Sequence, residues 1–139
     1  MKIGVISDTH IPEASPSIPV EVFRAFSDVD MILHAGDILD MVVIDELSGL
    51  AEVRVVRGNM DHYGRTRTLP EAVTVEVAGF RIGLTHGRGR PKGLHERVAK
   101  SFSGVDCIVF GHSHQPFNKI LGDVLMFNPG SPKIGRAHV

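Results

Sequence analysis

Tryptophan is absent from the 139 residues, and tyrosine and cysteine occur once each. The lone Cys107 cannot form an internal disulfide, which excludes the small secreted scaffolds that are stapled by bridges. No long hydrophobic run is present either. The first apolar stretch, Ile3 to Ile6, is far too short for a signal peptide or a membrane span. Nor does one sign of charge dominate. Lys and Arg number 15 against 16 Asp and Glu, so the formal net charge of -1 gives no bulk pull toward nucleic acid or an anionic membrane. These absences predict a cytoplasmic protein without a membrane partner and without strong nucleic-acid binding. With 42% hydrophobic residues, the length suits one domain, residues 1–139, around one well-buried core.

What is present is an alternation of apolar, β-rich runs with helically spaced stretches, the pattern of an α/β sandwich. Lys2 to Ser7 reads as a buried strand, Ile18 to Phe26 as an amphipathic helix, Met31 to His34 as a second strand, Met41 to Leu50 as a helix and Val53 to Val56 as a third strand. After a polar, arginine-rich loop from Asp61 to Pro70, Val73 to Val77 and Phe80 to Leu84 flank Ala78-Gly79 as a hairpin. Pro91 to Phe102 reads as a helix with proline at its start. Strands are expected at Cys107 to Phe110, near Asn118 to Leu121 and at Val124 to Phe127.

Five short polar clusters punctuate this pattern: Asp8-Thr9-His10, Gly36-Asp37, Gly58-Asn59, Thr85-His86-Gly87 and Gly111-His112-Ser113-His114. Each falls where a strand ends and a loop begins, the edge at which open α/β sheets place their chemistry. Asp, Asn and His without a thiolate form a nitrogen and oxygen donor set suited to Mn, Fe, Zn, Ni or Co. Strand alternation puts residues i and i+2 on one side, so Asp8 with His10 and His112 with His114 can converge. The glycines beside Asp37, Asn59, His86 and His112 allow tight turns where a Cβ would obstruct. A lone histidine is more often a satisfied core or surface residue, and His34, His62, His95 and His138 stay outside the ligand set.

The ordered set Asp8-Thr9-His10, Gly36-Asp37-Ile38-Leu39-Asp40, Gly58-Asn59-Met60-Asp61, Thr85-His86-Gly87, Gly111-His112-Ser113-His114 and Asn128-Pro129-Gly130-Ser131 resembles the calcineurin-like metallophosphoesterase superfamily, and within it the small single-domain phosphodiesterases. The resemblance implies a four-layer α-β-β-α sandwich with two mixed β-sheets. It implies that Asp8, His10, Asp37 and His114 hold one divalent ion while Asp37, Asn59, His86 and His112 hold another, with Asp37 as the bridge. Manganese is the expected ion, with iron, nickel, zinc or cobalt as alternatives. A bridging carboxylate can hold two cations roughly 3.5 to 4 Å apart, and the implied reaction is hydrolysis of a phosphate diester by in-line attack of a hydroxide shared between them.

The chain departs from the family pattern in two places. Many members carry histidine directly after Gly-Asn, where it protonates the leaving group, whereas this chain has Met60, whose thioether donates no proton. His62, water or the substrate itself could serve instead, and Asp40, which matches a carboxylate that orients the missing histidine, could simply cap a helix. Arg57, Arg65, Arg67, Arg88, Arg90 and Lys92 are candidates for substrate contact, with Arg57, Arg88 and Arg90 foremost and the loop from Arg88 to Gly93 as the specificity element. The second departure is the ending at His138-Val139, where relatives continue with a further strand pair. An uncovered sheet edge is a pairing liability, so a homo-oligomer is expected. The alternatives are a phosphomonoesterase acting on nucleotides or phosphoproteins, and a non-catalytic protein-binding scaffold on the same fold.

Overall fold

The computed structural model describes residues 1–11, 17–62 and 64–132. His138 and the chain end, on which the expectation of a shortened sheet rests, lie outside the described residues. Strands β1 (Ile3–Ile6), β2 (Met31–His34) and β3 (Glu52–Val55) pair in parallel in that order, connected through helices α1 (Val20–Ala25) and α2 (Val42–Ser48). The second sheet contains β4 (Ala72–Val77), β5 (Phe80–Thr85), β6 (Cys107–Val109), β7 (Phe117–Leu121) and β8 (Val124–Asn128), in the order β4-β5-β6-β8-β7. Its central pairs β5/β6 and β6/β8 are parallel and its outer pairs are antiparallel. Helix α3 (Leu94–Ala99) carries the chain from β5 to β6.

Side-chain alternation builds the layers. Val5 and Leu33 from the first sheet pack with Val75, Ile82, Leu84 and Val109 from the second, forming a core between the sheets. Their neighbours Ile6 and Ile32 instead meet Val22 and Phe26 at the end of α1, and Val43 and Leu47 of α2. On the far side of the second sheet, Ile108 and Met126 pack against Leu94 and Val98 of α3. Full burial of one such side chain is worth about 1.5–3 kcal/mol, so a slip of one residue along β1 or β2 would exchange two filled faces and is strongly opposed. The result is the expected α-β-β-α layering. No helix of the described residues is long and apolar enough to cross a membrane.

The expected hairpin is present, its turn made by Ala78 and Gly79 at φ 51° and 85°. Helix α3 is shorter than Pro91 to Phe102. Gly93 precedes it in the left-handed region at φ 76°, so Pro91 and Lys92 belong to a turn and the helix begins only at Leu94. The arginine-rich loop contains a 3-10 turn over Gly64–Thr68, which period-based reading passes over because a single turn has no apolar repeat. Because β1, β2 and β3 run together, as do β5, β6 and β8, each sheet delivers its strand ends to one edge.

Candidate metal centre

At that edge, loops from five strands bring the seven expected ligands together. Asp8 and His10 follow β1, Asp37 follows β2, Asn59 follows β3, His86 follows β5, and His112 and His114 follow β6. The ligand atoms of Asp8, His10, Asp37 and His114 all lie within 4.8 Å of one another. Beside them, His86 Nε2 is 2.9 Å from Asn59 Oδ1 and 3.3 Å from His112 Nδ1, and His112 Nδ1 is 3.1 Å from the same Asn59 oxygen. The four imidazoles form two pairs, His10 with His114 and His86 with His112, each with ring centroids 5.1 Å apart. Asp37 Oδ2 stands between the pairs, 3.2 Å from both His10 Nε2 and His86 Nε2.

Convergence does not arise from strand alternation as expected. Asp8, His10, Asp37, His112 and His114 all lie past the strand ends, in the left-handed region at φ between 48° and 75°. Side chains disfavour this region, and non-glycine residues held there concentrate at functional sites. The left-handed corners turn each ligand inward. His112 and His114 therefore reach different imidazole pairs, although they are two residues apart.

Glycine makes the close approach possible at Gly58, where a Cβ would collide with the Asp37 side chain and backbone nitrogen. Asp61, buried at 1% exposure, ties the same loops. Its carboxylate accepts from the backbone N–H groups of Asp37, Leu39 and Gly58 at 2.8, 2.8 and 2.9 Å. Met60 N–H in turn donates to Asp37 Oδ1 at 2.8 Å, leaving Oδ2 for the centre. Asp8 Oδ2 accepts from Ser7 Oγ and from His112 N–H, while Ser131 Oγ donates to the Asp8 carbonyl. Asn128 Nδ2 donates to the Gly111 carbonyl, anchoring the loop that bears His112 and His114.

Carbonyls orient the second imidazole pair. His86 Nδ1–H donates to Ala35 O at 2.7 Å and His112 Nε2–H donates to Gly89 O at 2.7 Å. His86 thereby turns Nε2 toward Asn59 and Asp37, and His112 turns Nδ1 toward Asn59, in the arrangement usual for metal-binding histidines. Among the described residues, two buried side-chain atoms, Asp8 Oδ1 and His10 Nε2, have no hydrogen-bond partner. His10 Nε2 is close enough to Asp37 to interact as a charge, yet misaligned for a hydrogen bond. Asp8 Oδ1 lies 3.4 Å from His114 Nε2 and 3.7 Å from His86 Nε2. Electron-pair donors crowded around unpartnered buried atoms fit a cation, and a nitrogen and oxygen set fits a first-row divalent ion.

Without metal, protons supply part of the charge. The Asp37 and Asp8 carboxylates raise His10 to about 9 against the opposing effect of burial. Burial would push Asp37 upward, but His10 and His86 outweigh it and hold the carboxyl well below its usual range. Burial likewise opposes the charge on His86, yet Asp37 and Asp8 raise its pKa overall. His34 behaves differently. Its fully buried ring is pushed down to about 3 by desolvation, its Nδ1 accepts from Gly36 N–H, and Nε2 faces Thr9 Oγ1 at 3.2 Å. It is a satisfied core histidine, as expected. Burial, followed by Asp106, raises the Cys107 thiol to about 11, away from thiolate chemistry.

The remaining candidates divide. Arg57, His62 and Arg88 line a cleft of about 720 Å³ that opens beside Asn59 and His86, whereas Arg90 does not line it. Asp40 is exposed, and its Oδ1 accepts from Val42 N–H at the start of α2, so it caps that helix and takes no place among the seven ligands. Two supporting residues escaped sequence reading. Asp61 could have been noticed as the fourth residue of the Gly-Asn motif, but nothing in sequence signals Arg97, whose guanidinium gathers the carbonyls of Arg88, Arg90 and Lys92.

The chain matches the calcineurin-like phosphoesterase superfamily domain over residues 1–139. It is 47% identical over 139 residues to a probable metallophosphoesterase of Methanothermobacter thermautotrophicus, covering 98% of this chain and 80% of that one. It is 28% identical over 145 residues to a phosphodiesterase of Methanocaldococcus jannaschii, covering 94% and 83%. Among solved structures, wild-type Vps29 of Entamoeba histolytica complexed with Zn²⁺ matches with a TM-score of 0.75 at 30% identity, covering 94% of this chain and 74% of that one.

Proposed function

Because this chain belongs to the calcineurin-like phosphoesterase superfamily, we propose that it is a phosphodiesterase using two divalent ions, manganese foremost. Asp8, His10, Asp37 and His114 would hold one ion, and Asp37, Asn59, His86 and His112 the other. The observation that supports this most is the position of Asp37 Oδ2, 3.2 Å from an imidazole nitrogen of each pair while its other oxygen is occupied by Met60 N–H. Ions bound there would polarise the phosphoryl oxygens and lower the pKa of water to furnish the attacking hydroxide.

The side chains then perform the rest. Asp8 and Asp37 reduce the charge of the centre while leaving it electropositive toward a phosphate. In-line displacement forms one P–O bond as the opposite P–O bond breaks, and the departing oxygen takes up a proton. His62 lines the cleft beside Asn59 and is the residue we assign to deliver that proton in place of Met60. Arg88 faces the same cleft. Arg57 is engaged by Glu71 at 2.6 Å and by the Arg67 carbonyl at 2.9 Å, and so shapes the wall. We also propose one domain over residues 1–139 and a homo-oligomer, the latter because edge strand β7 exposes Ile120 (68%) opposite the exposed Leu125.

The test is hydrolysis of bis-p-nitrophenyl phosphate against p-nitrophenyl phosphate by protein stripped with chelator and reloaded with Mn²⁺. Metal-restored cleavage favouring the diester is the expected result. A monoester preference would make the protein a phosphomonoesterase. Inactivity on both with every first-row ion would sink the hydrolase reading and leave a binding module, the second reading suggested by the likeness to Vps29.

A further inference from the structure

The cleft beside the centre is larger and more cationic than one ester phosphate requires. It is lined by Asn59 and His86, by Arg57 and Arg67 from the segment after β3, and by Arg88, Arg97 and Lys100 from the segment after β5 that holds α3. The two carboxylates in its lining, Asp61 and Glu71, are already engaged, the first by backbone amides and the second by Arg57. Arg97 is held over loop carbonyls and contributes a fixed positive charge. Arg67, Arg88 and Lys100 have no ion-pair partner among the described residues. Cavities of about 300–1,000 Å³ typically enclose a drug-sized ligand, so 720 Å³ leaves ample room beyond a phosphate. The described lining has no Phe, Tyr or Trp face on which a base would stack, so recognition falls to charge.

We propose that this cleft is a second anion subsite, and that the substrate is a small phosphate diester bearing a further phosphoryl group. Arg67, in the turn after β3, and Lys100, at the end of α3, hold that group together with Arg88 while the scissile ester lies at Asn59 and His86. A planar guanidinium and a mobile ammonium suit phosphate oxygens arriving on different linkers. The assignment of the scissile ester rests on the hydrolytic reading above. The affinity of the cleft for a second phosphate does not.

The experiment is calorimetric titration of the chelator-treated full chain with thymidine 3′,5′-bisphosphate and with thymidine 5′-monophosphate, at low and high salt. The bisphosphate is expected to bind about tenfold tighter or more, with the advantage shrinking as salt screens the charges. Arg67→Gln and Lys100→Gln should each remove most of it, and Arg54→Gln, an exposed arginine absent from the cleft lining, should not. Equal affinity for the two nucleotides would overturn the proposal, as would a loss in Arg54→Gln as large as in the cleft variants. If Arg67→Gln melts early, Lys100→Gln decides alone. Hydrolysis of bis-p-nitrophenyl phosphate by the metal-loaded preparation separates the two readings. Hydrolysis without bisphosphate preference removes only the subsite, and preference without hydrolysis removes only the phosphodiesterase.

Discussion

The two sides of the centre are held by different means. Around Asp8, His10 and Asp37, loops bind loops: Asp8 N–H donates to the Gly36 carbonyl, His10 N–H to the Asp37 carbonyl, and Asp61 gathers three amides. Around His86 and His112, rings rest on carbonyls. The Ala35 carbonyl lies in the core, but the Gly89 carbonyl lies on an exposed loop fastened by Arg97. One side is held by backbone hydrogen bonds, the other by carbonyls that fix the ring tautomers. The knitted side should fail completely when cut, and the ring-supported side by degrees.

Asp37→Ala is the sharpest cut because it reaches both sides. It should lose both ions and reduce diester hydrolysis by about three orders of magnitude or more. Metal analysis of the purified variant alongside turnover checks this, and wild-type hydrolysis would sink the bridge. His112→Ala should lose mainly one ion and about 100-fold in rate. Full occupancy at both positions would erase the distinction between the sides.

Proton exchange should be smaller but measurable. In the metal-free chain His10, raised above its ordinary 6.5 to about 9, is protonated at neutral pH. Metal uptake must expel this proton, so affinity rises with pH, roughly tenfold per unit for one proton, and levels off above about 9. Calorimetry in buffers of different ionisation enthalpy counts the protons released, and none released at neutral pH would contradict the assignment. The mildest effect is expected from Asp40→Ala, which removes only a cap on α2. It should cost about 0.5–2 kcal/mol in urea unfolding and leave turnover unchanged. A large loss of turnover would return Asp40 to the site.

Most of the sandwich, and the gathering of seven donor residues at one sheet edge, are legible because both depend on local pattern. Apolar runs such as Ile3 to Ile6 and Met31 to His34 are strands, and polar residues directly after them fall at the sheet edge. Illegible features depend on which loops meet. Asp61 reads as one more loop carboxylate until the ends of β2 and β3 bring three amides to it. Arg97 reads as a solvated helix charge until α3 sets it over the preceding loop. The start of α3 differs from its pattern for a local reason: proline favours the first helical turn, but Gly93 takes a left-handed conformation that ends the turn before the helix begins. Spacing groups Asp8 with His10 as the structure does, but His112 and His114 part to different imidazole pairs, and the left-handed geometry behind this has no sequence signature at His10, His112 or His114.

The left-handed candidate ligands would make metal a folding variable. Each side chain held at positive φ costs about 1–2 kcal/mol that glycine would avoid, and binding restores stability in proportion to the logarithm of free ion concentration. With the proposed ions bound, a chelator should therefore lower the melting temperature of this chain as well as its turnover.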